Sequence, residues 1–497
     1  MAIPMETSGT PSTPVLLALD LGTTTCRSVL FDLAGQPLAE AACETPAHHP
    51  QPRWAEVDPE HWWENVCLVT RRVLHHWGGD PRRIVAVGLA GLMHAPVLLG
   101  HDGRPVYPAM LWMDQRCAAE AEWMRRELAP ILERSLGSVR ASTTVTAPKL
   151  RWLAVHRPDV LAATHVVLLP KDYIRFRLTG HLGTDPSDAG GTGMYSQAAG
   201  GWAVELAVAL GLRPEQLPPI VPSTEVVGKV TGEAAEATGL AEGTPVVAGM
   251  SDVRATITGA GPFAPGEACL YLGTAAWITV PLPAPGAARR SFGSTSTTGA
   301  AVRWMAHLLE GEEADRSPAD AYARLTTLAE QAPPGAGGLL FLPHLMGERG
   351  FRPHPQASGL LFGLALAHGR PHLARAVLEG TAHHLRATIE HTDMPPPPVI
   401  VTVGGGARSP LWCQIIADTI NCRLEVPRVV EAGALGAAIC AAVGAGLFPD
   451  TEAAARQMVR RERSYAPDPS RHARYSRLHR LWLDLEERVQ EFYGLIG

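Results

Sequence analysis

Leu16-Leu17-Ala18-Leu19-Asp20-Leu21-Gly22-Thr23-Thr24-Thr25 is the stretch on which the fold turns. An uncharged apolar run ends in one carboxylate, then a glycine and three threonines follow. Such a run reads as a buried strand. The glycine permits a tight turn, so backbone N–H groups and hydroxyls can converge on an anion. Asp20, at the strand end, is placed to hold a hydrated cation beside it. Taken alone, the same run is an ordinary strand and turn. A partial echo half a chain later changes the weighing: Tyr271-Leu272-Gly273-Thr274-Ala275 repeats the Leu-Gly-Thr core after the apolar residues Ala268, Cys269 and Leu270. In both places a second apolar strand follows, Arg27 to Phe31 and Trp277 to Val280. The echo carries Tyr271 where the first copy has Asp20. Two phosphate turns, one with a metal-side carboxylate, predict two similar domains facing each other across a nucleotide.

At 497 residues the chain is long enough for two large domains or three. Its net charge of −6 is spread among interspersed residues of both signs. That argues against a nucleic-acid surface, which shows as a basic stripe. Eight cysteines are scattered without a C-x-x-C pair, as expected of reduced thiols in a cytoplasmic protein. Residues 1–13 read as a flexible tail rather than a signal peptide. The most apolar uncharged run, Ala434 to Phe448, falls short of the roughly 20 residues a membrane span needs.

Along the chain, Pro37 to Cys43 is expected to return as a hairpin strand after the turn at Asp32-Leu33-Ala34-Gly35-Gln36. Asp58-Pro59-Glu60 is a helix start, with Trp62, Val66, Val69 and Val73 on one buried face. Ile84 to Leu89 is a further strand, ending in Ala90-Gly91-Leu92-Met93-His94. Strand, hairpin, helix and strand make an α/β pattern. Pro108 to Arg116 reads as a loop entering a charged helix. Leu168 to Tyr173 and Gly183 to Asp188 read as polar elbows, and Leu217 to Thr244 as peripheral structure. Val246-Val247-Ala248 runs into Gly249-Met250-Ser251-Asp252, where the boundary between halves is placed: 14–247 as the N-terminal domain and 248–497 as the C-terminal one. In the second half Pro395 to Pro398 is a stiff connector. Val399 to Val403 is a buried strand, followed by Gly404-Gly405-Gly406-Ala407-Arg408-Ser409-Pro410. Ser409 before Pro410 opens a helix over Leu411 to Ile420, and Glu431 to Gly446 is a small-residue helix suited to close packing.

The glycine triplet between strand and helix reads as a nucleotide-type loop, where absent side chains let a ligand approach the backbone; many such triplets are simple tight turns. A P-loop is excluded: around Gly228-Lys229, Ser223 stands where the first glycine belongs and Val230 where Ser or Thr must follow. Asp252 follows an apolar strand beside glycine and serine. It is either a helix-capping carboxylate or a base that takes a proton from a hydroxyl attacking phosphorus. His94 is either a satisfied core histidine or a ligand. The pairs His48-His49, His75-His76 and His383-His384 lack metal spacing to cysteine or acid partners and read as surface or packing residues.

Together these motifs resemble the FGGY carbohydrate kinases, and within them the xylulokinases, from about Leu16 to about Asp450. Gly359 to Glu379 fits the family's C-terminal signature, G-x-L-x-G-L, seven residues, then H-L-x-x-A-V-L-E. Asp20 to Thr24, Met93-His94, Leu111-Trp112-x-Asp114-x-Arg116, Leu169 to Tyr173, Gly347-Glu348-Arg349 and Gly404-Gly405-Gly406-Ala407-x-Ser409 also match. The resemblance implies an actin/hexokinase-type α/β architecture, two ribonuclease-H-like domains facing each other across a nucleotide and sugar cleft. The sugar and magnesium side falls to the N-terminal domain and the ATP side to the C-terminal one. It implies Asp252 as the catalytic base and Asp20 as the organiser of hydrated Mg2+. Thr23, Thr24, Gly273 and Thr274 would face the phosphates of ATP, and Gly405, Gly406 and Ser409 the adenosine. Met93, His94, Trp112, Asp252 and Val253 would line the sugar. The expected partners are a small sugar and ATP, with no nucleic acid and no membrane; a homodimer is compatible with a sequence that fixes no oligomeric state.

Three departures bear on the sugar. Xylulokinases usually carry Asn directly after the catalytic Asp, where this chain has Val253. After Gly-Glu-Arg the T-P-x-x-D pattern is replaced by Gly350-Phe351-Arg352-Pro353-His354. The N-terminal signature around Pro148 to Trp152 is only partly kept, with Thr144 and Val155 outside it. The expected activity is thus an ATP-dependent, xylulokinase-like phosphorylation of a terminal hydroxyl on a ketopentose or related polyol. A gluconate kinase is the alternative, because that branch shares the Met-His pair and a Ser-Asp like Ser251-Asp252. A non-catalytic sugar or nucleotide sensor of the same fold is the alternative from another class.

Overall fold

A computed structural model of the chain describes residues 13–139, 141–281, 290–311, 318–348 and 350–495. Of the expected tail over 1–13, all but Thr13 lies outside the described residues. By internal contacts the chain divides into two compact units. Unit 1 is Met1–Gly261 with Ala432–Val459, and unit 2 is Pro262–Glu431 with Arg460–Gly497.

Unit 1 is built on a seven-stranded sheet. Its strands are β1 (Val15–Leu21), β2 (Thr25–Phe31), β3 (Pro37–Glu44), β4 (Ile84–Gly91), β5 (Val226–Lys229), β6 (Pro245–Val247) and β7 (Met250–Ser251). They run in the order β5-β6-β4-β1-β2-β3, with β7 also on β4. The run β1-β2-β3 is an antiparallel meander, whereas β4 lies parallel to β1 and to both β6 and β7. β1 and β4 are almost wholly apolar because parallel strands are covered on both faces.

Unit 2 repeats this plan in six strands: β8 (Ala268–Leu272), β9 (Ala276–Val280), β10 (Arg290–Thr295), β11 (Val399–Val403), β12 (Arg423–Pro427) and β13 (Arg461–Tyr465), in the order β13-β12-β11-β8-β9-β10. The parallel and antiparallel pairings match those of unit 1 strand for strand. The Leu-Gly-Thr echo falls at the equivalent turn, between β8 and β9 as between β1 and β2. The expectation of two similar α/β units therefore holds at the level of topology.

The helix Pro59–Trp77 covers the first sheet as its sequence predicts. Asp58 caps it by accepting from the Glu60 amide, Gly78 closes it, and Trp62, Val66, Val69 and Val73 are buried. The division between units differs from the expected cut at 247/248. β7 and the helix Asp252–Ala260 stay with unit 1, since β7 pairs with β4. Residues 432–459, expected in the second domain, also belong to unit 1, and the helix Ala432–Gly444 packs on β1, β4 and Asp252–Ala260. Leu217 to Thr244 is likewise more than peripheral, because β5 extends the sheet by pairing with β6. None of the eight cysteines is joined in a disulfide, and six are buried. Among the described residues no helix is long and apolar enough to cross a membrane.

The small residues of Ala432–Gly444 permit backbone-to-backbone contact. A Cβ on Gly436 would lie 1.9 Å from the Ala255 carbonyl oxygen, and one on Gly88 of β4 would lie 1.9 Å from that of Ala437. No side chain fits either gap without moving a main chain, so overpacking of about 1–3 kcal/mol or more is expected. Gly436→Ala should therefore lower the urea midpoint of unfolding markedly. Gly405→Ala, where a Cβ meets nothing within 4 Å, should leave it close to wild type.

Candidate active site

In unit 1, β4 has β1 on one side and β7 on the other. Asp20 and Met250 both lie in register with Ala90, and Leu21 and Ser251 with Gly91. Strands sit about 4.8 Å apart, so Asp20 and Met250 are roughly 10 Å apart across the sheet, with Asp252 two residues further on. Met93 and His94 follow β4 after the single residue Leu92. Three adjacent parallel strands thus deliver Asp20, His94 and Asp252 from their carboxyl ends, the edge where α/β sheets bind ligands.

Asp252 is the first residue of its helix, and Ser251 is the cap, its hydroxyl accepting from the Arg254 amide at 3.4 Å. The capping duty proposed for Asp252 therefore falls on its neighbour. Asp252 is half-buried, and its Oδ1 accepts from the Val253 amide at 2.7 Å. Behind it lies a buried network that the sequence reading missed. The Ser251 amide donates to Ser187 Oγ (2.8 Å), which donates to Asp185 Oδ2 (2.6 Å). Lys171 Nζ joins Asp185 at 2.9 Å, Asp172 at 2.6 Å and Asp188 at 3.0 Å, and Arg175 also reaches Asp172. These five charged side chains are fully buried, not the polar elbows expected. Burial pushes the Asp188 carboxyl well up. Burial opposes the charge on Lys171 too, but the surrounding carboxylates outweigh it and raise its pKa.

His94 adopts φ 76°, a left-handed conformation uncommon outside glycine and frequent at ligand sites. Lys149 Nζ donates to the His94 carbonyl at 3.0 Å and to that of Thr144 at 2.9 Å, holding this turn. Burial pulls the Lys149 pKa down to about 7. His94 Nδ1 lies 2.6 Å from the Gly191 carbonyl. A carbonyl only accepts, so Nδ1 carries the proton in the neutral ring and Nε2 is its acceptor nitrogen. Trp112 Nε1 donates to Thr23 Oγ1 at 2.9 Å, tying that loop to the β1–β2 turn, while Thr24 is exposed. Asp114 and Arg116 of the same motif are scaffolding: Asp114 accepts from the Ala55 amide at 2.7 Å, and Arg116 stacks 3.6 Å over the Trp54 ring. Asp20 is half-buried beneath the start of the helix Ala432–Gly444; a Cβ on Gly433 would lie 2.8 Å from its Oδ2. A hard oxygen donor at this strand end suits a hydrated magnesium ion, and the helix N-terminus favours its anionic form.

In unit 2 the turn holding Gly273 and Thr274 and the run Gly404 to Gly406 leave the same end of the parallel pair β8–β11. The helix Gly299–Glu310 begins against the first turn, its Gly299 amide donating to the Gly273 carbonyl (2.9 Å) and its Ala300 amide to that of Thr274 (3.0 Å). Beside Thr274 a cavity of about 260 Å3 is lined by Thr274, Ala300, Arg303, Trp304 and His307. Arg303, a cation next to a phosphate-type turn, carried no motif signal. Ser409 caps the helix Pro410–Ile420 by accepting from the Trp412 amide, and its hydroxyl lies 3.2 Å from that of Thr326. The glycine triplet is only partly the open loop expected. Gly404 and Gly406 are small because Leu272 and Trp412 crowd them, and Gly405 alone faces open space. The signature stretch ending at Glu379 serves packing: Glu379 is buried against Arg375 (2.7 Å), the Tyr475 hydroxyl (2.7 Å) and the Gly335 amide (2.8 Å). Arg349 of Gly347-Glu348-Arg349 lies outside the described residues.

Residues 15–259 match the N-terminal domain of the FGGY family of carbohydrate kinases, and residues 286–445 its C-terminal domain. The chain is 34% identical to a xylulose kinase of Escherichia coli over 477 residues, covering 92% of this chain and 96% of that protein. It is 31% identical to an autoinducer-2 kinase of Escherichia coli, covering 97% and 95%. Its structure is similar to that of a gluconate kinase from Lactobacillus acidophilus, with a TM-score of 0.84 and 26% identity over 97% of this chain and 100% of that one. By matched domains, identity over nearly its whole length and shared two-unit α/β architecture, the chain belongs to the FGGY family of carbohydrate kinases.

Proposed function

We propose that the protein transfers the γ-phosphoryl group of ATP to a terminal hydroxyl of a ketopentose or related polyol. The observation that carries this reading is the delivery of Asp20, His94 and Asp252 from three adjacent strand ends, with Ser251 relieving Asp252 of a capping role. Unit 1 supplies the acceptor side. Met93, His94 and Trp112 hold the sugar, and His94 Nε2 accepts from one of its hydroxyls. Asp252 takes the proton from the attacking hydroxyl as its oxygen bonds to phosphorus and ADP leaves. The hydrogen bond from the Val253 amide keeps the carboxylate oriented for this. Unit 2 supplies the donor side: Thr274 and the adjoining amides meet the phosphates with Gly273, and Gly405, Gly406 and Ser409 meet the adenosine. Magnesium, when bound, neutralises phosphate charge, and Asp20 would hold it through water.

Similarity to a xylulose kinase supports a ketopentose, and similarity to a gluconate kinase structure supports an aldonate as the second reading. Val253 is half-buried beside Asp252 and offers neither donor nor acceptor from its side chain. A sugar hydroxyl left against it forfeits about 1–3 kcal/mol, roughly ten- to a hundredfold in specificity. The favoured substrate therefore lacks a hydroxyl at that point. A coupled ADP-release assay over ketoses, aldonates and polyols tests the reading as a whole; no turnover with any of them, with Mg-ATP present, would refute it.

Three outcomes are expected. Asp252→Asn should lower kcat by at least about 10²-fold with ATP affinity nearly unchanged, since an amide cannot accept the proton. Near-wild-type turnover would remove Asp252 from that role. Asp20→Ala should raise the magnesium concentration needed for half-maximal rate and reduce kcat, leaving nucleotide-free sugar binding by calorimetry unaltered. Wild type should use D-xylulose poorly relative to another panel member, and Val253→Asn should shift preference towards it by about tenfold or more. Wild-type kcat/KM on D-xylulose above about 10⁴ M⁻¹s⁻¹, with no better substrate, would contradict this.

A further inference from the structure

His344, Glu348 and His384 come from separate parts of unit 2 and meet in its interior. His344 lies just beyond the strand Leu340–Leu342, Glu348 lies in the loop that follows, and His384 is on the helix Arg370–Glu390. All three are buried, and one ligand-type atom of each lies within 4.8 Å of the others. Glu348 Oε2 is 3.5 Å from His344 Nδ1 and 3.4 Å from His384 Nε2. These separations exceed the 2.7–3.2 Å of a good N–H···O hydrogen bond. They match the edge of a tetrahedron around an ion with ligands at about 2.0–2.2 Å, which is about 3.4 Å.

We propose that His344 Nδ1, Glu348 Oε2 and His384 Nε2 form a binding site for one divalent transition-metal ion, zinc by its ligand chemistry. Two imidazoles and one carboxylate are a zinc-type donor set and a poor one for magnesium or calcium, which prefer oxygen alone. The outer layer fits as well. His344 Nε2 lies 2.9 Å from Glu486 Oε2, the carboxylate–histidine pairing that fixes a ligating ring and raises its basicity. Glu486 is itself buried, and its Oε1 accepts from Gln490 at 2.8 Å. Glu348 is held through its other oxygen, Oε1, by the Gly350 amide at 2.5 Å. The buried Trp482 ring stacks on His384 with centroids 5.9 Å apart. The ion would clasp the loop bearing Gly347-Glu348 to the helix Arg370–Glu390 and, through Glu486, to the helix Pro469–Arg488. On this proposal the partners of His384 lie 36 or more residues away in sequence, beyond the reach of a spacing motif.

The test uses the full chain, stripped with a strong chelator and titrated with Zn2+ against a chromophoric competitor, then with Co2+ as a visible-absorption probe. The expected result is one equivalent of Zn2+, a higher thermal midpoint on binding, and a tetrahedral Co2+ spectrum without thiolate-to-cobalt charge transfer. His384→Leu should lose the site. Glu486→Gln, which keeps the ligands and the packing, should weaken affinity about 10–100-fold. If His384→Leu fails to fold, the Glu486→Gln affinity decides. No uptake by wild type, a thiolate spectrum, or uptake unchanged in Glu486→Gln would overturn the proposal. None of these readouts uses phosphoryl transfer, so the site stands or falls independently of the substrate reading.

Discussion

The helix Ala432–Gly444 can lie main chain to main chain against β4 and the helix Asp252–Ala260 only where side chains are missing. Gly88 and Gly436 provide those gaps. That contact sets the depth at which the helix sits, and its first turn consequently lands on Asp20. The separation of Asp20 from Asp252 is in turn fixed by their strands flanking β4 in common register. A rigid sheet edge and a helix locked by backbone contact leave little freedom for either carboxylate, which suits the roles proposed for them, proton acceptor and metal-side anion.

A second constraint is electrostatic. Burying Lys171 and Arg175 with Asp172, Asp185 and Asp188 is costly unless every charge finds a partner. The cluster meets that condition by setting Lys171 among Asp172, Asp185 and Asp188, with Arg175 also on Asp172. Its outlet is the hydrogen-bond chain through Ser187 to the Ser251 amide, so the charge network fixes the backbone beside Asp252 rather than touching a ligand itself. Lys149 plays the same part for His94, holding a left-handed turn by two carbonyl contacts.

What was legible in the sequence is what depends on neighbours in the chain. The apolar run of β1, the cap at Asp58, the capped helix after Ser409 and the repeated Leu-Gly-Thr turn are all local signals, and each falls where the sequence places it. The illegible parts depend on distant partners. Lys171 and Asp185 read as parts of polar elbows because charged residues are seldom buried; their burial depends on residues that fold together only in three dimensions. The glycines at 404 and 406 read as a ligand's clearance, but Leu272 and Trp412 claim that space. The cut at 247/248 failed because sequence order carries no sign that β7 pairs with β4, or that residues 432–459 rejoin the first unit.

That rejoining governs how the molecule is made. The chain leaves unit 1 at Gly261 and does not return until Ala432. During synthesis, β1 and β4 emerge long before the helix that covers them, so an apolar sheet face waits uncovered while some 170 residues are translated (432 − 262). Domains generally fold as units and N-terminal first on the ribosome, but here the earlier unit cannot finish first. Folding of the inserted unit shortens the loop that must close, replacing a long flexible tether by a compact body with both ends fixed. Completion of the earlier-made unit thus waits on synthesis of the later one, and a lesion that slows the latter leaves the sheet of unit 1 uncovered for longer.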